Sequence, residues 1–445
     1  MSRANPHAEQ ERTIFAESTP HGFGGISIIR LSGAQTQSIL QALTGRHDWA
    51  AHVQRPALLR DRTGELIDQV MIAFHPAPHS FTGEDLAEIG CHGNPLVVRT
   101  ILEAIESTGM AVPAARGEFT RRAYLGGKLT LPQAEGLGAL IEARSMSGLS
   151  MAKGLMAGHL STGLRRVLED CQAVHAEIEA SFLEEDIEID AQGITSRLEG
   201  GMGFLLGLLT DAEAAPALYK GINTVIAGAP NAGKSSLFNA LLGYERAIVH
   251  AEEGTTRDII AEHMVISGID FIFHDTAGIR IPTTGAEQAG IDRTMAALKD
   301  ADLILYVVDA ARGFKEEETP WLSHGKTIVV LNKIDLTPEG IDDIPGFVNV
   351  RVSAKFRQGI DALAAAMQRS FPQELPHIFL ERHRALITQA AAGLQRAVSG
   401  CKSGQAWDVL TLDLIESITC LKNLLGDETS EDVLDRIFAT FCVGK

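Results

Sequence analysis

The sequence predicts a multidomain protein of the α/β and α+β classes, in which a domain with a doubly wound, mostly parallel sheet is inserted into an α-helical domain. Short aliphatic runs alternate with helical patterns between residues 217 and 371, and helical periodicity fills the segments on both sides. A mixed, glycine-rich pattern precedes them. The predicted boundaries are 1–125 for an α+β domain, 126–215 and 373–445 for the two helical segments, and 216–372 for the α/β domain.

The amino-terminal region contains few strong patterns. Ile26–Leu31 and Leu66–Phe74 are predicted as strands and Leu96–Ser107 as a helix. The stretch His21–Gly25 is rich in glycine, but it precedes a strand, whereas a dinucleotide-binding loop follows one and opens a helix. We therefore interpret it as a turn.

The later regions give clearer predictions. Helical periodicity runs from about Leu129 to Leu209 and returns over Leu380–Ser399 and Trp407–Leu425. Five short aliphatic runs in the α/β region are predicted strands: Ile222–Ala227, Phe271–Phe273, Leu303–Val308, Thr327–Leu331 and Val348–Val352. This rhythm is typical of a doubly wound sheet.

Composition narrows the class of protein. The 445 residues are 45% hydrophobic and 22% charged, which excludes disordered and fibrous classes. A formal net charge of −18 disfavours a bulk electrostatic nucleic-acid binder, so any such partner needs a local basic surface. The five scattered cysteines suit a reducing compartment, and no signal peptide or membrane-spanning run is evident. We expect a cytoplasmic protein without a membrane segment.

The strongest motif is the stretch Gly228–Ser235, which fits the phosphate-binding pattern G-x-x-x-x-G-K-[ST]. It follows the strand at Ile222–Ala227 and precedes a helix whose amino end would present free N–H groups to an anion. Gly233 allows close backbone approach, Lys234 can reach the outer phosphates, and Ser235 can ligate Mg²⁺.

Three further strand-end motifs follow in the order that a guanine-nucleotide site requires. They are Gly254–Asp258, Asp275–Gly278 and Asn332–Asp335. Because the carboxyl ends of parallel strands meet at one edge of a sheet, these motifs can contact one ligand although they are far apart in sequence. Thr256 would ligate Mg²⁺ and sense the γ-phosphate, and Asp275 would hold the metal's shell. Asp335 can accept two hydrogen bonds from guanine, where adenine offers an acceptor. Ser353, Ala354 and Lys355 would complete the base pocket. The domain is therefore predicted to be a P-loop GTPase.

The residue that orients the attacking water is not obvious from the motifs. Ras-like proteins have a glutamine just after the glycine of the second switch, and this chain has Ile279. Glu287 lies further along the segment, and from its position alone it fits a catalytic carboxylate and an ordinary surface carboxylate equally.

Two other features have competing interpretations. The acidic run Glu184–Asp190 could be a metal cluster, but a solvated helix end is favoured because no other metal-ligand residues lie nearby in sequence. Cys442 lies between Phe441 and Val443, where a small packed side chain is favoured over a nucleophile.

Four stretches together resemble the MnmE (also called TrmE) family of tRNA modification GTPases. They are Ser80–Asp85 with Cys91–Gly93, Gly117–Ala123, Asn231–Ser236, and Phe441–Lys445. The similarity extends over nearly the whole chain. It implies an amino-terminal domain that binds folate and forms dimers, and a GTPase domain inserted into a helical domain built from two segments.

The resemblance also implies roles for individual residues. GTP would be bound by the motif residues Asn231, Ala232, Gly233, Lys234, Ser235, Ser236, Thr255, Thr256, Asp275, Gly278, Asn332, Lys333, Asp335, Ser353, Ala354 and Lys355, with Mg²⁺ on Ser235 and Thr256. Potassium would be bound by Asn231 and the loop His250–Thr255, which supplies His250, Glu252 and Thr255. This ion would replace an arginine finger. Glu287, with Asp275, would be catalytic.

The folate site implied by the family comprises Arg30, Glu88, Lys128 and Lys445, and it would hold 5-formyl- or methylene-tetrahydrofolate. The cations suit the glutamate tail or ring carbonyl, and Glu88 suits the pterin's amino edge. The family departures in this chain are Asn94 in place of a second glycine, and His250, Glu252 and Glu253 in the potassium loop.

The function expected from the resemblance is that of a potassium-activated homodimeric GTPase. With a flavin- and NADH-dependent partner, in a heterotetramer, it would attach an aminomethyl or carboxymethylaminomethyl group to carbon 5 of the tRNA wobble uridine. GTP hydrolysis would drive conformational change. The alternative is a GTP-dependent assembly or scaffold protein, such as a ribosome-maturation GTPase, and tetrahydrofolate binding distinguishes the two.

Overall fold

A computed structural model of the chain describes residues 12–143, 145–183, 189–210, 212–243, 261–274, 298–315, 318–319, 322, 326–337, 341–372 and 375–445. The chain divides into two compact units. The first consists of Met1–Gly138, Met156–Glu169 and Ile418–Lys445, and the second of Ala139–Leu155 and Asp170–Ser417. The three predicted boundaries, after residues 125, 215 and 372, stay predictions.

The described residues form the following strands and helices. The strands are β1 (Thr13–Glu17), β2 (Ile26–Ser32), β3 (Gln54–Arg60), β4 (Leu66–His75), β5 (Leu86–His92), β6 (Ala111–Pro113), β7 (Ile222–Gly228), β8 (Ala261–Ile266), β9 (Ile269–His274), β10 (Leu303–Asp309), β11 (Lys326–Asn332) and β12 (Val348–Val352). The helices are α1 (Thr36–Thr44), α2 (Pro95–Ser107), α3 (Glu118–Leu125), α4 (Leu131–Glu142), α5 (Met146–Met156), α6 (His159–Leu183), α7 (Ala191–Leu209), α8 (Ala215–Lys220), α9 (Lys234–Leu242), α10 (Ile360–Arg369), α11 (Glu381–Ser403), α12 (Trp407–Leu425) and α13 (Glu431–Phe438).

The first unit contains a six-stranded sheet in the order β3-β4-β5-β2-β1-β6. Its neighbours are antiparallel except for β1 and β6, which pair in parallel. Ile29, Leu31 and Ile89 alternate with half-exposed residues and pack into one apolar cluster with helices α1 and α2. The intervening residues Arg30 and Glu88 therefore lie on the opposite face of the sheet.

Residues near position 444 complete this unit. The carbonyl oxygen of Gly444 accepts hydrogen bonds from Ser18 Oγ at 3.0 Å and from an Arg30 guanidinium nitrogen at 3.4 Å. Gly444 has φ +87°, and a Cβ there would collide with the Glu17 carbonyl oxygen. Phe441 is buried with α4 and α13. The site around Arg30 is thus assembled from segments more than 400 positions apart in sequence.

The second unit contains a six-stranded sheet in the order β12-β11-β10-β7-β9-β8. All neighbours are parallel except β8 and β9, which form an antiparallel pair at one edge. The central strand β10 has six consecutive buried residues, as expected for a sheet covered on both faces. The predicted mostly parallel sheet is confirmed.

Helices form the rest of the second unit. The long helices α7 and α11 pack together, and Ser417 Oγ donates a hydrogen bond to the Ala390 carbonyl at 3.0 Å, where Gly393 leaves room for it. The rings of Tyr219 and Phe379 stack with centroids 4.8 Å apart. The predicted helices at Leu380–Ser399 and Trp407–Leu425 are confirmed, the second with the same limits.

The structure also describes parts of several smaller features of the sequence. His21–Gly25 is a turn with no helix after it. Within the acidic run, residues 184–188 lie outside the described part, and Asp190 accepts a hydrogen bond from the Gly193 N–H at the start of α7. Across the described ranges, no group of three or more metal-ligating residues occurs, and no helix is long and apolar enough to cross a membrane.

The prediction of a packed Cys442 is wrong, because this residue is exposed while Cys91, Cys171 and Cys420 are buried. Its flanking residues explain the difference. Phe441 turns into the core, whereas Val443 is half-exposed and pairs with Arg116 in an isolated β-bridge. The Cys442 carbonyl accepts a hydrogen bond from the Gly117 N–H at 3.3 Å, so the backbone is held while the thiol faces outward.

Candidate functional site

The phosphate loop connects β7 to α9 at the carboxyl edge of the parallel sheet. Asn231 has φ +63° and Gly233 has φ +98°, so the loop turns twice through left-handed backbone. A Cβ on Gly233 would collide with the Asn332 side-chain amide, which explains why glycine is required there. Lys234 Nζ donates to the carbonyls of Gly228 at 2.8 Å and Ala229 at 3.0 Å. The helix begins at Lys234 with its free N–H groups facing the loop.

The loop after β11 lies directly against the phosphate loop. Asn332 Nδ2 donates to the Ala232 carbonyl at 2.9 Å, and Asn332 Oδ1 accepts from the Ala354 N–H at 3.1 Å. Lys333 Nζ donates to the Asn231 carbonyl at 2.7 Å. Asn332 is buried, and its amide joins its own loop to the phosphate loop, 100 positions away in sequence, and to the loop at Ala354, 22 positions away.

The base-selective carboxylate is also held in place. Ser353 Oγ donates a hydrogen bond to Asp335 Oδ1 at 2.6 Å. The Ser353 N–H and the Gln358 carbonyl form a short bridge at 2.9 Å that shapes the loop carrying Ala354 and Lys355. The arrangement leaves a carboxylate edge that can accept two adjacent N–H donors, as guanine presents.

A cavity of about 440 Å³ lies beside α9 and the Ser353–Lys355 loop. Two cations line it, Lys355 and Arg357, together with Phe356, whose ring lies 5.1 Å from Lys355 Nζ. Ser236 and Asn239 supply polar groups from the helix. Its position between the phosphate loop helix and the base loop suits the ribose and base side of a nucleotide.

Part of the predicted site lies outside the described residues. This applies to Thr255, Thr256, Asp275, Gly278, Ile279 and Glu287, and to His250 and Glu252 of the potassium loop. Strand β9 is parallel to β7, so its last residue, His274, lies at the same edge of the sheet as the phosphate loop. The side chain of Ser235 is exposed in the first turn of α9.

A second constellation lies on the exposed face of the antiparallel sheet. Arg30 and Glu88 are cross-strand partners, and Arg30 Nε donates to Glu88 Oε1 at 2.8 Å. Both side chains are partly exposed, at 23% and 33%. Because the Gly444 carbonyl also accepts from Arg30, this guanidinium joins the sheet to the Phe441–Lys445 segment.

Lys128 and Lys445 lie on segments that adjoin this constellation. The Lys128 side chain lies beside Gly83, and Gly126 packs against the Thr82 carbonyl. Thr82 in turn hydrogen-bonds Ser32 at the end of β2, with 2.8 Å between the hydroxyl oxygens. Lys445 directly follows Gly444. The first unit therefore contains all four residues of the predicted folate site.

Comparison with known proteins decides the family. The chain matches the family "GTP-binding protein TrmE N-terminus" over residues 13–128 and the "MnmE helical domain" over residues 131–442. It is 36% identical to the tRNA modification GTPase MnmE of Opitutus terrae, covering 98% of this chain and 99% of that protein. The protein of that name from Heliobacterium modesticaldum is 37% identical, with coverage of 97% and 99%.

The chain belongs to the MnmE family.

The first MnmE family match ends at residue 128 and the second begins at residue 131, between helices α3 and α4. The TrmE match contains Arg30, Glu88 and Lys128, and the helical match contains the phosphate and base loops. Among solved structures, the G domain of the T. maritima FeoB iron transporter is similar at 24% identity, covering 34% of this chain and 98% of that one, with a TM-score of 0.26. Such a low score supports no conclusion about function.

Sequence reasoning missed three residues of this MnmE-family site. Asp309 pairs with Lys333 at 2.7 Å, and Phe356 and Arg357 line the cavity. Asp309 could have been found, because it is the polar residue that ends an apolar strand at the sheet edge where the motifs gather. The other two follow the Ser353–Lys355 motif directly and carry no pattern of their own.

Proposed function

We propose that this chain binds and hydrolyses GTP and takes part in tRNA modification at the wobble uridine. The observation that carries the proposal is the convergence of the phosphate loop, Asn332–Asp335 and Ser353–Lys355 at one sheet edge. The phosphate loop suits the phosphate chain of a nucleotide, and the other two motifs suit a guanine base. The names of the relatives supply the tRNA-modification context.

The phosphate loop would hold the nucleotide's charge. Free N–H groups at the start of α9 and the Lys234 ammonium suit the β- and γ-phosphates, so Lys234 would exchange the Gly228 and Ala229 carbonyls for phosphate oxygens. The exposed Ser235 hydroxyl is an oxygen donor of the kind that Mg²⁺ prefers. Bound Mg²⁺ would neutralise charge that develops on the phosphates.

Hydrolysis would depend on residues outside the described ranges. We propose that Thr256 and Asp275 complete the magnesium shell, and that Glu287 orients the attacking water where Ras-like proteins use a glutamine. Potassium bound at Asn231, with His250, Glu252 and Thr255, would stabilise charge between the phosphates. The left-handed turn at Asn231, which exposes this residue at the loop's tip, supports its part in that site.

The face of the antiparallel sheet is the proposed site of the one-carbon tetrahydrofolate. Arg30 offers a guanidinium that a carboxylate or ring carbonyl can share, and Glu88 can accept from amino and ring N–H donors. Lys128 and Lys445 would add positive charge for the glutamate tail. The folate would supply the one-carbon unit, and this chain's residues would bind and orient it.

We further propose a cytoplasmic homodimer that acts with a flavin- and NADH-dependent partner in a heterotetramer. The net charge of −18 supports shared tRNA binding, because the chain alone has little electrostatic attraction for a polyanion. GTP hydrolysis would drive rearrangement of the complex and would be separate from the bond-forming step on the uridine.

The testing experiment is a reconstituted modification assay with tRNA, GTP, methylene-tetrahydrofolate, NADH and a flavin partner, with nucleosides analysed by mass spectrometry. We expect the modified wobble uridine with the wild-type chain and its loss with Arg30→Ala. Arg99→Ala is the matched control, because Arg99 also pairs with a glutamate, Glu103, but lies exposed on helix α2.

One result separates the proposal from its rival, and a second tests the potassium role alone. Unmodified uridine with the wild-type chain, together with no tetrahydrofolate binding by calorimetry, would favour the GTP-dependent assembly or scaffold protein. Equal rates of GTP hydrolysis in K⁺ and Na⁺ at matched ionic strength would remove the potassium role of Asn231 and leave the folate proposal intact.

A further inference from the structure

An ion pair between Asp309 and Lys333 contacts the phosphate loop. Asp309 is the last residue of β10, and its Oδ2 lies 2.7 Å from Lys333 Nζ. The same ammonium donates to the Asn231 carbonyl at 2.7 Å. Lys333 therefore connects a carboxylate at the end of one strand to the exposed turn at Asn231 in the phosphate loop.

The backbone at both ends of this connection is under strain. Asn231 has φ +63° and Lys333 has φ +66°, and each is a non-glycine residue in the left-handed region, which is energetically unfavourable. Such conformations persist when surrounding contacts hold them. Here the adjacent carbonyls of Asn231 and Ala232 are held by the adjacent side chains of Lys333 and Asn332.

The Asp309 carboxylate has the orientation and the charge needed to hold the Lys333 ammonium in place. Its second oxygen, Oδ1, accepts from the Ala311 N–H at 3.0 Å, so the carboxylate cannot rotate without losing a backbone bond. Burial raises the pKa of the Asp309 carboxyl, but the hydrogen bonds from Lys333 and Ala311 outweigh burial and leave it below its usual value. The group is charged at neutral pH and faces Lys333 in one orientation.

We propose that Asp309 is a positioning residue for guanine-nucleotide binding, which holds Lys333 and, through it, the turn at Asn231 in the shape that receives the phosphates. The inference rests on the proposed GTP binding and is independent of the potassium and folate roles. Asp309 itself needs no contact with the nucleotide, because its effect passes through the Lys333 ammonium.

The first test measures affinity and dissociation of a fluorescent GDP in Na⁺ buffer for the full chain and for Asp309→Asn. We expect about tenfold weaker binding, mainly through faster dissociation, from loss of a charged hydrogen-bond partner. Asp300→Asn is the matched control. It removes one negative charge from an exposed residue just before the opposite end of the same strand, and we expect a change under twofold.

The second test asks whether Asp309 acts through Lys333. We expect Lys333→Met to weaken GDP binding more than Asp309→Asn does, and the double variant to match Lys333→Met within twofold. A purely structural contribution of Asp309 would instead lower affinity further in the double variant. That additive result, or an Asp309→Asn affinity within twofold of wild type, would overturn the inference.

Two controls distinguish a loss of the Asp309 role from a lack of GDP binding by the wild-type chain and from unfolding of the variants. Absence of GDP binding by the wild-type chain would contradict both the proposed function and the role of Asp309, whereas an Asp309→Asn affinity within twofold of wild type would contradict the role of Asp309 alone. Thermal unfolding verifies that the variants are folded. If Asp309→Asn is not, Asp309→Glu replaces it; it keeps the charge with one extra methylene group, and we expect a measurable but smaller loss of GDP affinity.

Discussion

The two sheets build their candidate sites in opposite ways. The parallel sheet uses the loops at its carboxyl edge, so each contribution is a short contiguous motif such as Asn332–Asp335. The antiparallel sheet uses one face, where Arg30 and Glu88 meet across strands and Gly444 arrives from far along the chain. The site at the loops of the parallel sheet, here called the edge site, can therefore be recognised in a single sequence. The site around Arg30, Glu88 and Gly444, here called the face site, consists of residues that are far apart in sequence and that resemble ordinary surface residues.

The largest effect expected from this comparison is at the edge site. Asp335→Asn replaces a carboxylate that Ser353 holds at 2.6 Å, so the guanine N–H donors lose their charged acceptor. Two charge-assisted hydrogen bonds are affected, and we expect GTP affinity to fall about hundredfold or more. Xanthosine triphosphate, which has a carbonyl where guanine has its amino group, should bind the variant better than GTP does.

The measurement is a competition titration with both nucleotides. Tetrahydrofolate affinity is measured in parallel and should remain within twofold of wild type, because the substitution lies in the other unit. Equal losses of GTP and folate affinity would show that the two sites are not energetically separate.

A smaller effect is expected at the face site from Gly444→Ala. Alanine at φ +87° would collide with the Glu17 carbonyl, and left-handed backbone adds about 1–3 kcal/mol. We expect the segment to shift away from Arg30 and 5-formyltetrahydrofolate to bind at least about tenfold more weakly, while GDP affinity stays unchanged. Calorimetry measures both.

Gly45→Ala is the matched control for this variant. Gly45 has φ +69° in the same unit, but a Cβ there meets nothing within 4 Å. The control variant therefore has the unfavourable left-handed backbone of an alanine but no collision of its Cβ with another atom. If both variants bound folate alike, the contact between Gly444 and Glu17 would have no role in the face site.

The smallest effect concerns the thiols. Burial raises the pKa of Cys91 to about 11 and of Cys171 to about 12, so both remain protonated and unreactive near pH 8. Raising the pH toward these pKa values increases their thiolate fraction, and lowering it decreases that fraction. We expect the exposed Cys442 to be labelled first in the native protein.

Mass-resolved alkylation follows each thiol separately, and Cys442→Ser identifies the fast phase. Because Cys442 is two positions from Gly444, we expect 5-formyltetrahydrofolate to slow its labelling and GDP to leave it unchanged. Protection by GDP instead would contradict the assignment of the two ligands to separate sheets.

The sequence was sufficient for the parallel strands because they are short and rich in aliphatic residues. Val348–Val352 was predicted with its observed limits, and the other predicted strands of this sheet differ by one to a few residues at their ends. The antiparallel pair was only half predicted, since β8 has glutamate and histidine within it. Its partner β9 was recognised by its phenylalanines.

The antiparallel sheet was less predictable for physical reasons. Strand β3 contains Pro56, which normally argues against a strand but is tolerated at the sheet edge where β3 lies. Strand β5 carries Glu88 and Gly90, which blur its alternation. Strand order depends on pairings between distant segments, and no local pattern encodes the approach of Gly444 to Ser18. The face site was therefore predicted from family resemblance.

The hydrogen bond from Ser18 to Gly444 joins residues 426 positions apart, and this separation has a consequence during protein synthesis. At about 5–20 residues per second, the ribosome needs about 20 to 85 seconds to make the intervening chain. Throughout that time the face carrying Arg30 and Glu88 lacks the segment that adjoins it. A nascent chain thus contains the residues of all six strands of this sheet well before it contains the segment that completes the face site.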